Sequence, residues 1–143
     1  MATSRQMSPA QPVAHSSSPL PIPSQPHWPS VSRVVRKSLT GHIPAELAKL
    51  HLLIVFILSS DNLEGSIPES LSILKSLFEL DLSSNHLTGH ILGELTHLPN
   101  LTILVLSSNN LEGPIPQSLS LLKSLGDLDI GSNSLEGPIW LLS

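Results

Sequence analysis

The sequence contains no cysteine and no tyrosine, and Phe and Trp supply two residues each, so the aromatic content is 3%. Without cysteine there is neither a disulfide framework nor a thiolate metal site. With so few rings, a core has to be built from aliphatic side chains. Charge is sparse as well: seven Lys and Arg against eleven Asp and Glu leave a net charge of -4, and no basic stripe offers a field for nucleic acid. The longest apolar run, LHLLIVFIL at 50–58, has nine residues and includes His51, about half of the roughly 20 that a membrane-spanning helix requires. Within the first 29 residues nothing matches the roughly 7 to 15 unbroken apolar residues of a secretory signal. No GxSxG elbow, P-loop, GxGxxG or kinase signature occurs, so neither catalysis nor a cofactor is expected.

What the chain has in abundance is leucine at fixed intervals. Gly41, Gly65, Gly89, Gly113 and Gly137 fall 24 residues apart, and a period of that order marks a repeat architecture. The stretch LTILVLSSNNLEGPIP at 101–116 shows the unit most clearly. Leu80, Leu82, Leu104, Leu106, Leu128 and Ile130 alternate with Asp81, Val105 and Asp129. That period of two predicts a short strand in each turn, with the aliphatics inward and the residue between them outward. Successive coils then lie about 4.8 Å apart, and every buried backbone group needs a partner in the next coil. Asn85, Asn109 and Asn133 suit that need, because an amide both donates and accepts, and they are expected to form a buried ladder. Asp61 takes the same place one coil earlier. An ionised carboxylate accepts without donating, so that rung is expected to be strained or filled by water.

A longer duplication overlies the 24-residue period. Residues 41–88 and 89–136 agree at 28 of 48 positions, whereas residues 41–64 and 65–88 agree at 10 of 24. The pair of coils is therefore the duplicated unit, and the outward strand positions alternate with it. They read Val55 and Ile57, then Glu79 and Asp81, then Ile103 and Val105, then Asp127 and Asp129. A face striped apolar and acidic in turn is the candidate contact surface for a partner.

The recurring LxxLxxLxLxxNxLxGxIP, covering roughly residues 39–139, resembles the plant-type leucine-rich repeat of receptor-like kinases, receptor-like proteins and polygalacturonase inhibitors. The resemblance implies an α/β-type solenoid, with short parallel strands on a concave face and 3₁₀ or loop segments on the convex face. It also implies a binding role without catalysis: recognition of a protein or peptide ligand in signalling or defence, with a co-receptor or a cell-wall enzyme as partner. An inhibitory module like the polygalacturonase inhibitors, or a repeat protein of an organelle or the cytosol, are the other readings. The family points to the plasma membrane or the cell exterior. The Pro- and Ser-rich residues 1–30, which include SSSPLPIPSQPHWPS and precede the first acidic residue, suit a disordered tail or an organelle transit peptide. The solenoid is expected over residues 31–143, as about four turns after a degraded half-turn in which Val34, Leu39 and Gly41 keep the frame and Lys37 takes the Asn slot. Extracellular members usually carry cysteine-paired caps. Here Trp140, Leu141 and Leu142 are the closing apolar residues, so self-association through uncapped ends is expected.

Three further groups invite chemistry. Glu79 with Asp81, and Asp127 with Asp129, have a spacing a glycosidase could use, but an open sheet offers no pocket to raise one pKa, and they are read as a solvated face. His86 and His90, with His97 nearby and His42 in the slot of His90, are read as loop histidines rather than metal ligands. Asn100-Leu101-Thr102 is an acceptor triplet for N-glycosylation, and Asn100 is the candidate site.

Overall fold

A computed structural model describes residues 33–138. The tail at 1–30 and the closing residues Trp140, Leu141 and Leu142 lie outside the described residues. Among the described residues ten short strands, two to a coil, are interspersed with four 3₁₀ segments. Five strands, β1 (Arg33–Val35), β3 (Val55–Ile57), β5 (Glu79–Asp81), β7 (Ile103–Val105) and β9 (Asp127–Asp129), form one parallel sheet in that order. Each is three residues long, because only the LxL core of each repeat carries the period of two. The central residues Phe56, Leu80 and Leu104 are fully buried, and their neighbours point out.

The 3₁₀ segments η1 (Ala45–Lys49), η2 (Glu69–Ile73), η3 (Gly93–His97) and η4 (Gln117–Leu121) come from the LxxLxxL half of the repeat. A 3₁₀ helix has about three residues per turn, so leucines three apart fall on one side of it. In the second full coil Leu71 N donates to Pro68 O, Leu74 N to Leu71 O and Leu77 N to Leu74 O, at 3.1, 3.1 and 2.9 Å. Each leucine thus both joins the core and carries the bond that tightens the turn. Pro44, Pro68 and Pro116 stand just before three of these segments in extended conformation, where a missing N–H costs nothing. The core is one aliphatic cluster running through all coils, from Val34 to Ile130. Each fully buried leucine in it contributes about 1.5–3 kcal/mol.

A second set of strands follows the asparagine turn: β2 (Thr40–His42), β4 (Asn62–Ser66) and β6 (His86–Thr88) in one parallel sheet, and β8 (Glu112–Pro114) with β10 (Ser134–Glu136) in another. Between them single bonds, Asn110 N to Leu87 O and Glu112 N to Gly89 O, hold the coils together. These strands are not apparent from the LxL pattern, because none of them carries more than one buried residue and several run through the repeat glycine.

The first coil departs from the expected frame. Counting back 24 residues places Val34 opposite Leu58 and Lys37 in the Asn slot. The sheet instead pairs Val34 with Phe56, a step of 22. Val34 to Leu39 spans five residues, and Phe56 to Leu63 spans seven. The first turn is therefore two residues shorter and has no Asn slot at all. Strand pairing, which seats Val34 in the core with Arg33 outside, decides the register.

Gly41, Gly65, Gly89, Gly113 and Gly137 all have φ between 78° and 98°, a region that penalises a Cβ. Gly65 and Gly113 carry a second constraint, since a Cβ there would meet the imidazole of His42 and His90 respectively. The His90 ring is held in place by Nδ1 against Glu112 O at 3.0 Å. At Gly89 the nearest atom to such a Cβ would be Ser66 Cβ at 3.5 Å, ordinary contact. Gly113→Ala is therefore expected to cost about 1 kcal/mol more than Gly89→Ala, the worth of the displaced hydrogen bond. Urea melts of both, repeated in a His90→Ala background, check this: the excess should vanish there.

Candidate functional site

The outward positions of the five-stranded sheet form two rows, aligned by the strand register. One runs Arg33, Val55, Glu79, Ile103, Asp127, and the other Val35, Ile57, Asp81, Val105, Asp129. The eight side chains singled out from the sequence thus lie together on one face, at neighbouring rungs about 4.8 Å apart. Arg33 and Val35 extend both rows by one coil. They were hidden because the shortened first turn takes β1 out of the 24-residue frame.

The acidic residues are not equivalent. Asp81 Oδ1 accepts from Ser83 N at 2.9 Å and from Ser83 Oγ at 2.6 Å, and Asp129 Oδ1 accepts from Gly131 N at 3.1 Å. One oxygen of each is committed to shaping the turn after its strand. Glu79 and Asp127 have no such turn role. Glu79 and Asp81 are half-buried, whereas Asp127 and Asp129, on the edge strand, are exposed. A cavity of about 220 Å³ opens at the last coil among Leu119, Leu122, Leu125 and Leu128; it includes neither carboxylate pair.

Beside this face lies an apolar rim. Phe78 N and Glu79 N both donate to Ile54 O, and Thr102 N and Ile103 N both donate to Phe78 O, which stacks Ile54, Phe78 and Thr102 at the strand entrances. Leu52, Ile54 and Phe78 are 42–43% exposed, unusual for side chains of their size. Their slots vary along the repeat, with Thr102 and Gly126 in the place of Phe78. A large apolar residue in a variable outward slot was the signal that would have marked them.

The face is held rigid from below by the asparagines. Asn85 Oδ1 accepts from Leu63 N at 3.0 Å, and its Nδ2 donates to Leu58 O, Leu82 O and Ser83 O at 2.8, 3.0 and 3.1 Å. Asn109 repeats the set with Leu87 N, Leu82 O, Leu106 O and Ser107 O. Asn133 does so with Leu111 N, Leu106 O, Ile130 O and Gly131 O. Each amide spans two coils. Asp61 makes only half of the pattern: Oδ1 accepts from Leu39 N at 2.9 Å, and Oδ2 is buried without a hydrogen-bond partner. Burial pushes its carboxyl above the ordinary range, against the lowering effects of the Leu39 and Ser38 N–H groups and of Lys37. The chain enters each of these turns through a serine in the left-handed region, Ser60, Ser84, Ser108 and Ser132, with φ of 52–61°. That conformation is uncommon for a residue with a Cβ.

Asn100 is exposed on the turn before β7. Its Nδ2 donates to Lys75 O at 3.0 Å, and Thr102 Oγ1 donates to Asn100 O at 3.1 Å. His42, His86, His90 and His97 are all exposed on loops or short edge segments. Among the described residues no group of three or more His, Asp or Glu is placed to hold a metal ion, and no helix is long and apolar enough to cross a membrane.

Stacked parallel strands, 3₁₀ turns and an interior asparagine ladder define a leucine-rich repeat solenoid, and the Leucine Rich Repeat family model matches residues 76–98 and 100–122. The chain is a leucine-rich repeat protein of the plant type. More particularly, it resembles the ectodomains of plant receptor kinases. It is 40% identical to a chain of the BIR3–SERK2 complex from Arabidopsis thaliana, with a TM-score of 0.66 over 68% of this chain and 53% of that one. It is 34% identical to the plant peptide hormone receptor RGFR1 in complex with RGF2, with a TM-score of 0.70 over 76% of this chain and 18% of that one. It is 31% identical to the ectodomain of the Arabidopsis thaliana receptor kinase SOBIR1, with a TM-score of 0.71 over 78% and 62%. The chain spans about half the length of the first of these. No curated protein sequence matches it.

Proposed function

We propose that this protein is a recognition module that binds an extended peptide, or an exposed segment of a protein, across the five-stranded face. The observation that carries this reading is the alternation of apolar and acidic rungs, locked by strand register. Rungs about 4.8 Å apart put successive acidic coils about 9.6 Å apart, and an extended peptide of polyproline II geometry, at about 3.1 Å per residue and about three residues per turn, covers that distance in three residues and brings every third side chain back to the same face. The fitting ligand has basic residues three apart, with apolar residues between them to meet Val55, Ile57, Ile103 and Val105. Ile54 and Phe78 supply apolar area at the rim, and a few well-packed anchors carry most of the binding energy of such a contact. Receptor ectodomains of this fold in complex with a peptide or a second receptor support the reading, and a role in signalling or defence at the cell surface follows from it by analogy. A polygalacturonase-inhibitor-like role would use the same face against a cell-wall enzyme.

The test is selection from a displayed library of random peptides, followed by titration calorimetry of the winners. Binders with basic residues at spacing three are expected. Ile57→Lys and Val105→Lys should each weaken them by about tenfold or more, equivalent to about 1.4 kcal/mol, while Ile73→Lys on the 3₁₀ side should leave them unchanged. Binders insensitive to both face substitutions would overturn the assignment of this surface.

A further inference from the structure

The two ends of the stack carry opposite charge and matching backbone. At one end β1 presents the exposed Arg33, with Lys37 just beyond it; at the other β9 presents the exposed Asp127 and Asp129. Both are edge strands of the same parallel sheet. In four successive coils the N–H that follows the strand donates forward: Arg36 to Ile57 O, Leu58 to Asp81 O, Leu82 to Val105 O and Leu106 to Asp129 O. Ile130 holds the fifth such N–H, and no coil follows it among the described residues. Gly126 O stands likewise in the place from which Ile54 O, Phe78 O and Thr102 O each accept two N–H groups of the next coil. Leu128 and Leu125, unlike Leu104 and Leu101, are only partly buried, and the cavity among Leu119, Leu122, Leu125 and Leu128 opens on the same end.

From this we infer that the last coil docks the first coil of a second copy of this chain, head to tail, with β9 of one copy pairing in parallel with β1 of the next. The register of the sheet makes the junction specific. Continuing the two rows puts Arg33 of the incoming copy beside Asp127 and its Val35 beside Asp129, and it seats Val34 over Leu128. Across the junction the acidic rung of Asp127 and Asp129 is followed by the rung of Arg33 and Val35 and then by the apolar rung of Val55 and Ile57, with an ion pair where the two edges meet. Charges placed so on an exposed edge select the partner and its register more than they add affinity. Such a contact is heterologous: each copy uses one end to bind and leaves the other free, so assembly extends beyond a dimer. An unpaired parallel edge is the ordinary template for this kind of addition.

Sedimentation velocity of the full chain, over a wide range of concentration and at low and high salt, tests the proposal. Species larger than a dimer are expected to grow with concentration and to recede in high salt, where exposed charges are screened. Arg33→Asp alone and Asp127→Arg alone each place like charges at the junction, and each should raise the concentration needed for assembly by more than about tenfold. The chain carrying both substitutions restores opposite charges and should assemble again. Far-ultraviolet circular dichroism confirms folding, and both positions are exposed. A chain that stays monomeric at every concentration would overturn the proposal. So would assembly that stops at a dimer, or assembly that neither single substitution disturbs.

Discussion

Asp61→Asn is expected to raise stability at neutral pH by about 1–2 kcal/mol, because it replaces a buried oxygen that has no partner with a donor group. For a domain of this size that is a rise in melting temperature of about 4–8 °C for each kcal/mol. The amide keeps the acceptor for Leu39 N and turns the orphaned Oδ2 into an N–H₂; Leu58 O and Ser59 O hold the repeat positions of the carbonyls that Asn85 satisfies at Leu82 and Ser83. The gain depends on pH in a definite direction. Burial raises the carboxyl pKa of Asp61 in the folded state above its unfolded value. A raised acid contributes stability that is fully present below the unfolded pKa and is lost as pH rises through the folded pKa. The protonated carboxyl can donate from Oδ2 as an amide does, so wild type and variant should be close at acid pH. They should diverge from the ordinary carboxylate range upward. Thermal melts of both proteins from about pH 3.5 to 8 check this, and a gap that stays constant across the range would show that protonation of Asp61 is not the cause.

Asn109→Ala is expected to be the most damaging single substitution in the ladder, at about 3–5 kcal/mol. It removes four hydrogen bonds in the dry centre of the stack, leaves Leu87 N without a partner, and takes from Leu82 O and Leu106 O one side-chain donor each, so that only Asn85 and Asn133 still serve them. The unsatisfied N–H costs about 1–3 kcal/mol and each of the other lost bonds about 0.5–1.5 kcal/mol. Asn133→Ala removes the same set of bonds at the last coil, where the residue is half-buried and water can replace the lost partners. Its cost is expected near 1 kcal/mol. Denaturant unfolding of both variants measures the difference, and equal costs would mean that the ladder is solvated along its whole length. Because a solenoid is stabilised coil against coil, Asn109→Ala should also lower cooperativity, which a reduced denaturant slope would report.

The repeat frame was legible because its causes are local and recur. Leucines three apart predict the inward side of a 3₁₀ turn, leucines two apart predict a strand, and Gly, Asn and Pro stand where the backbone is unusual. With those fixed in phase from Leu47 to Ile115, the buried set and the two outward rows follow without further information. Less was legible where the chain leaves the frame. Lys37 stands in the Asn slot by counting, yet the first turn is two residues shorter, because β1 takes the position in which Val34 is buried against Phe56. That choice brings Arg33 to the edge of the sheet. The positive φ at Ser60, Ser84, Ser108 and Ser132 was also hidden, since serine carries none of glycine's signal for such a conformation.

The sequence by itself determined the phase of the full coils, their aliphatic core and the residues facing out from β3, β5, β7 and β9, because each depends on a spacing of two, three or 24 along one chain. Only the tertiary structure decided how those residues meet. Which oxygen of Asp61 lacks a partner, why Gly113 lies under His90, and which charges stand at the two edges depend on contacts between coils. Those contacts are set by hydrogen bonds and packing between residues more than 20 positions apart, which no local pattern encodes.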